Sequence, residues 1–246
     1  MSEHLYIVTG SSRGMGEAIA RQLLAPGHVL IGIARQQSAA LAIAAENRRV
    51  PLEQWQADLS QPLAVAERLL GWLKEQAAGR FSSATLINNA ALISAPGPVE
   101  SSTLAELSAT VRVGLEAVLL LSQAFLKGSR SCSKDQRILN ISSGLGRRAM
   151  AGAAPYCAIK AGVDNLSRAM ALDGVSVVSL APGIIDTDMQ LQLRSGDPAL
   201  FPEQARFASF KAEGALDSPD EAAAKILRYL SRPDFGQTVL ADVRDA

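Results

Sequence analysis

Thr9-Gly10-Ser11-Ser12-Arg13-Gly14-Met15-Gly16 follows a short apolar run, residues 5–8, and opens a helical periodicity over 15–24. An apolar run that stops at a glycine turn and resumes as a helix reads as strand, tight turn, helix. Three glycines in such a turn let the backbone approach a bound group and let the helix pack close to the strand. The N-terminus of the helix offers free N–H groups and a partial positive charge, which suits a pyrophosphate. The spacing is G-x3-G-x-G, so the G-x-G-x-x-G dinucleotide fingerprint is absent. A tight turn that merely needs positive φ accounts for the same residues until the rest of the chain is read.

Outward from this turn, strand and helix patterns alternate to the end of the chain. Pro26-Gly27 closes the first helix, and apolar runs at 29–33, 52–56, 85–87, 138–141, 175–180 and 238–240 read as further strands. Helical periodicity fills 39–46, 63–76, about 104–127, about 154–171 and 222–230. Seven apolar strands alternating with helices imply a parallel sheet covered on both faces. No linker, repeat or low-complexity tract divides the sequence. The expectation is one α/β domain over residues 1–246, a doubly wound Rossmann-type parallel seven-stranded sheet with helices on both faces.

Composition excludes several classes of partner. Of 246 residues 48% are hydrophobic, enough for a sizeable core, and 24 Lys+Arg balance 24 Asp+Glu. That balance leaves no electrostatic footprint for nucleic acid or an anionic membrane surface. The two cysteines, Cys132 and Cys157, have neither metal-ligand nor disulfide-framework spacing, and no metal is expected. The apolar run at 5–8 is too short for a signal segment, and the run at 115–126 is too short and too polar to span a bilayer. A cytoplasmic protein is expected.

Tyr156-Cys157-Ala158-Ile159-Lys160 places a phenol and an ammonium four residues apart on one helix face. A nearby positive charge favours the phenolate, so the pair suits proton exchange with an alcohol or carbonyl oxygen. The second strand ends Ile33-Ala34-Arg35, where a site preferring the non-phosphorylated dinucleotide usually carries an acidic residue for the ribose 2′-OH. Ala34 leaves room there, and Arg35 and Arg13 offer guanidinium forks to a 2′-phosphate. NADP(H) is the expected cofactor.

Together these residues resemble the short-chain dehydrogenase/reductase family over essentially the whole chain. T-G-x3-G-x-G stands at 9–16, Asp58-Leu59 after the third strand and Asn88-Asn89-Ala90-Ala91 at the end of the fourth. Ser143 lies thirteen residues before Tyr156, Lys160 four beyond it, and Pro182-Gly183-Ile184-Ile185-Asp186-Thr187 follows the sixth strand. The resemblance implies that Tyr156 is the acid/base and that Ser143 hydrogen-bonds the substrate oxygen. Lys160 would hold the nicotinamide ribose and lower the Tyr156 pKa. It also implies a cofactor site of Gly10, Ser12, Arg13, Gly14, Met15, Gly16, Ala34 and Arg35, with Asp58 and Leu59 at the adenine end. Asn88 and Ala90 would line the cofactor's middle, and Pro182, Gly183, Ile185 and Thr187 its nicotinamide side. Asp188 rather than Thr187 is expected to cap the next helix, leaving Thr187 free for the cofactor.

Two positions depart from the family pattern. Ala91 stands at a glycine-like position, and Gly114 stands where an Asn commonly helps hold a relay water. A helix bent or loosened at Gly114, with a water held by a backbone carbonyl beside Lys160, is expected, or else a glycine that admits a close neighbour. Within the family the C-terminal third is most similar to the sepiapterin reductase and bacterial benzil reductase branch. The pterin enzymes place an Asp on the last strand, where this chain has Leu240 with Asp242 two residues on. An apolar or aromatic ketone or diketone therefore fits better as the small-molecule carbonyl substrate.

Residues 189–217, with Met189, Leu193, Phe201, Phe207 and Phe210, suit a substrate-covering segment, or short amphipathic helices packed on the core. Two other readings stay open: an NADP(H)-binding sensor that has lost turnover, and a reductase of steroid or 3-oxoacyl substrates. The resemblance further implies a homodimer or homotetramer through the helices at 104–127 and 154–171.

Overall fold

Residues 3–245 are described by a computed structural model of the chain. The apolar runs become β1 (Glu3–Thr9), β2 (His28–Ala34), β3 (Leu52–Gln56), β4 (Phe81–Asn88), β5 (Ser133–Ile141), β6 (Ser176–Ala181) and β7 (Leu240–Asp242). All pair in parallel, in the order β3-β2-β1-β4-β5-β6-β7. This is the doubly wound sheet expected from the alternation. The strand order reverses between β1 and β4, which opens a crevice at the carboxyl ends of the strands.

The helices are α1 (Gly14–Gln22), α2 (Ala39–Arg48), α3 (Pro62–Lys74), α4 (Leu104–Val111), α5 (Ala117–Ser129), α6 (Ala154–Leu172), α7 (Asp188–Arg194), α8 (Gln204–Ala212) and α9 (Pro219–Leu230). Because strand side chains alternate between faces, each strand feeds two cores. Leu5, Ile7, Ile31 and Ile33 pack with Leu69 and Leu73 of α3 and Leu121 and Phe125 of α5. Val8, Leu30, Ile87, Leu139 and Leu180 pack with Ile19 of α1 and Ile226 and Tyr229 of α9. A sheet buried on both faces explains why the strands read as continuous apolar runs.

Three expectations need correction. The last strand lies at 240–242 rather than 238–240, because its pairing with Ser179, Leu180 and Ala181 of β6 starts at Leu240. That register buries Ala241 and Asp242. The helix expected over 104–127 is continuous in course but changes winding: a π-helical segment, Arg112–Glu116, joins α4 to α5 and contains Gly114. Finally, Thr187 and not Asp188 precedes the first turn of α7, and its side chain makes no capping bond. Asp188 is the first helical residue, where its charge suits the helix N-terminus.

Candidate active site

The carboxyl ends of the strands enclose one cavity of about 1480 Å³. Drug-sized ligands occupy roughly 300–1,000 Å³, so this space accommodates a dinucleotide with a second small molecule. Gly10, Ser12, Arg13, Gly14, Met15 and Gly16 line it after β1, and Ala34 and Arg35 after β2. Asp58 and Leu59 follow β3, and Ala90 follows β4. Ser143 follows β5, Tyr156 and Lys160 come from α6, and Pro182, Gly183, Ile185 and Thr187 follow β6. Sequence-distant residues meet here because every strand points the same way.

The glycine turn has the geometry a phosphate group needs. Gly10 and Gly14 adopt φ of 70° and 55°, in the left-handed region that side chains disfavour. A Cβ on Gly16 would lie 2.1 Å from the Gly10 carbonyl oxygen, so only glycine lets α1 start this close to the turn. No side chain caps α1, which leaves its first N–H groups for a ligand. On this geometry the turn fits a dinucleotide pyrophosphate.

One cofactor residue is misplaced by sequence reasoning. Asn88 does not line the cavity; it is buried, and its amide nitrogen donates to Asn140 Oδ1 at 2.9 Å. As the last residue of β4 it points into the sheet, and alternation turns Asn89 outward instead. Asn89 lines the cavity, and its Nδ2 donates to the Thr9 carbonyl at 2.8 Å, tying β4 to the glycine turn. Arg13 lines the cavity as well, and its guanidinium is ion-paired with Asp188 at the start of α7.

Tyr156 and Lys160 sit side by side in the wall, 9% and 4% exposed, with Lys160 Nζ 5.6 Å from the phenol ring centre. Lys160 Nζ donates to the Ile141 carbonyl at 2.6 Å. Burial pushes the Tyr156 phenol up to about 12, while a hydrogen bond with Ser143 works against that rise. Burial brings the Lys160 ammonium down to about 8, opposed by the charge of Asp164. Desolvation is the largest cause acting on each group, because both are taken from water together.

Gly114 lies opposite this pair. A Cβ there would come within 2.2 Å of Ile159 Cδ1, so the glycine admits the α6 residue just before Lys160. The helix winding is loosened at Gly114 and Ile159 packs closely against it.

In the covering segment the apolar residues divide. Met189, Leu193, Phe207 and Phe210 line the cavity. Phe201 is fully buried and Leu191 and Leu200 are exposed, so these three pack or face solvent instead. The segment is closed at its base by backbone hydrogen bonds joining Ile184 and Asp186 to Asp217, and by Asp186 paired with Arg194 and Lys211.

The family model described as short chain dehydrogenase matches residues 4–198. The chain is 33% identical over 240 residues to a benzil reductase ((S)-benzoin forming) of Bacillus cereus, covering 94% of this chain and 95% of the relative. It is 32% identical over 258 residues to the sepiapterin reductase of Mus musculus, covering 97% and 95%. A metagenomic short-chain oxidoreductase solved with NADP superposes with a TM-score of 0.73 at 29% identity, covering 98% of this chain and 96% of the other. The chain belongs to the short-chain dehydrogenase/reductase family. It is an oxidoreductase of the carbonyl and alcohol pair, most similar to the benzil and sepiapterin reductase branch.

Proposed function

We propose that this protein is an NADPH-dependent reductase of ketones or diketones, with Tyr156 as proton donor. The observation that carries the reading is the buried Tyr156–Lys160 pair with Ser143 against the phenol, set in one cavity with the glycine turn. A bound nicotinamide dinucleotide supplies the hydride. Gly10, Ser12, Gly14, Met15 and Gly16 would hold its pyrophosphate, Ala34 would leave room for the 2′-phosphate and Arg35 would pair with it, and Asp58 and Leu59 would flank the adenine. Ala90, with Asn89, lines the middle, and Lys160, Pro182, Gly183, Ile185 and Thr187 hold the nicotinamide end.

Ser143 would orient the carbonyl oxygen and Tyr156 would give that oxygen its proton; with the hydride the dinucleotide would supply to the carbon, the step to an alcohol balances. A phenol held near 12 remains protonated at neutral pH, so it arrives loaded as an acid. The phenolate then recovers a proton from solvent. The preference for NADPH rests on the missing acidic residue after β2 and on Arg35, which is exposed and free to turn toward a phosphate.

Met150, Met189, Leu193, Phe207 and Phe210 give the substrate side an apolar wall. Asp242 reaches the cavity, but Arg244 already occupies its carboxylate with contacts of 2.8 and 2.6 Å. Both features, with the similarity to benzil reductases, favour an aryl ketone or diketone over a pterin. Residues 189–217 act as the substrate cover of a single domain, 1–246. Exposed Leu104, Val111, Leu119 and Leu172 on α4, α5 and α6 support a homodimer or homotetramer.

The test is NADPH oxidation with benzil, aryl monoketones, pterins, keto steroids and 3-oxoacyl thioesters. Benzil and aryl ketones are expected to give the highest kcat/KM. Binding of NADPH without reduction of any carbonyl would overturn the reading in favour of a sensor.

A further inference from the structure

Asp164 is a charged group that the proposed reaction does not use. It lies on α6 one turn beyond Lys160, with its side chain 2% exposed. Its Oδ1 accepts from Ser142 Oγ at 2.5 Å and from Ser179 Oγ at 2.6 Å, so a single oxygen ties α6 to the ends of β5 and β6. Its Oδ2 faces Arg147 Nε at 3.5 Å and takes no hydrogen bond. Arg147 in turn donates from Nη2 to the Ala241 carbonyl of β7 at 2.8 Å. Between Ser143 and Arg147 the chain must pass close over this carboxylate. A Cβ on Gly146 would stand 2.7 Å from Asp164 Oδ2 and 3.0 Å from the Lys160 carbonyl oxygen.

We propose that Asp164 is a positioning residue for the Ser143–Tyr156–Lys160 site. It anchors the Ser142–Arg147 turn that carries Ser143, and it places a carboxylate one helical turn behind Lys160. The inference rests on the proposed reductase function only for its activity readout. Burying an ionised carboxylate costs several kcal/mol unless its partners compensate. An Asn would satisfy two serine hydroxyls without that cost, so the charge itself needs an explanation. Lys160 supplies it.

The surroundings of Lys160 leave Asp164 as its anionic neighbour. On α6 it lies beside the Tyr156 ring and one turn before Asp164, and from β5 it faces the Ile141 carbonyl. Arg147 follows β5 and pairs with Asp164. On β7 the Asp242 carboxylate is taken by Arg244, and Arg112 and Glu116, on the facing π-helical segment, are exposed. Burial lowers the Lys160 pKa to about 8 and Asp164 opposes that fall. Removing the negative charge should therefore lower it further, and part of the ammonium population would be lost at neutral pH.

The test measures Lys160 directly, by NMR titration of its Nζ in 15N-lysine-labelled protein, with Lys160→Arg used to assign the signal. In parallel, kcat/KM for benzil with NADPH is followed from pH 6 to 9. Asp164→Asn should lower the Lys160 midpoint by about one pH unit or more. The alkaline fall of kcat/KM should move by the same amount.

Arg147→Met leaves the Asp164 charge uncompensated and should move the midpoint the other way. This second variant decides the matter if Asp164→Asn does not fold. A folded Asp164→Asn with an unmoved midpoint, whatever its melting temperature, would overturn the proposal. So would an Arg147→Met whose midpoint does not rise. If the wild type reduces no carbonyl, the reductase reading fails while the Nζ titration still decides the role of Asp164.

Discussion

The two ends of the cavity are built in opposite ways. At the catalytic end Tyr156 and Lys160 are 9% and 4% exposed, and their ionisation is governed by burial and by each other's surroundings. At the phosphate end Arg13 leaves 69% of its side chain exposed, and Arg35 is likewise exposed. Solvent and salt screen such groups, so each contributes modestly and adjustably. On the proposed assignment, chemistry depends all-or-none on the buried end and cofactor choice depends by degrees on the exposed end.

The sharpest attempt to break that contrast is Tyr156→Phe. It keeps the buried ring and removes the proposed proton donor, so kcat should fall about 10²–10⁴-fold. NADPH affinity, followed by fluorescence titration, should change little. Activity within a few-fold of wild type would remove Tyr156 from the mechanism.

Arg35→Ala probes the exposed end. It should weaken NADPH about tenfold, or about 1.4 kcal/mol, and leave NADH nearly unchanged. The NADPH advantage should also shrink as salt rises from 0.05 to about 0.5 M, because the pair is screened. Equal losses for both cofactors would make Arg35 a structural residue.

Gly114→Asn tests the wall between the two ends. The new side chain must displace Ile159, and overpacking typically costs about 1–3 kcal/mol. A lower melting temperature with turnover changed less than about threefold would assign the glycine to packing. A rise in kcat without a lower KM would instead point to a proton path improved by the amide.

The smallest effect is expected from Asp188→Asn. Arg13 and Asp188 form an exposed pair, and such pairs contribute about 0–1 kcal/mol. Freeing Arg13 for the 2′-phosphate should tighten NADPH by about two- to fivefold and leave NADH unaffected. Unchanged NADPH affinity would show that Arg13 does not compete between the two anions.

Sequence reasoning was strongest where a feature is local. The glycine turn, the Tyr156–Lys160 spacing and the order of strands and helices follow from neighbours a few residues apart. It failed where an interaction crosses the sheet. Asn88 and Asn89 are adjacent and chemically identical, and only the facing Asn140 shows that Asn88 belongs to the sheet. Arg13 lines the cavity, but its ion-pair partner Asp188 is 175 residues away and is not visible from its neighbours. Asp164 stands four residues beyond Lys160, a helical spacing visible in the sequence. Its importance came from Ser142, Ser179 and Arg147, which three other segments deliver.

By itself the sequence determined the parallel α/β architecture, the family and the composition of the cavity. Hydrophobic period, glycine placement and short motif spacings act over one or two turns of chain. Only the tertiary structure decided which of two neighbouring asparagines meets the cavity, that the helix around Gly114 winds as a π-segment, and that Asp164 stands behind Lys160. It also set the balance of charge at Tyr156. Sequence spacing places an ammonium beside a phenol, but the depth at which both are buried determines whether charge or desolvation prevails.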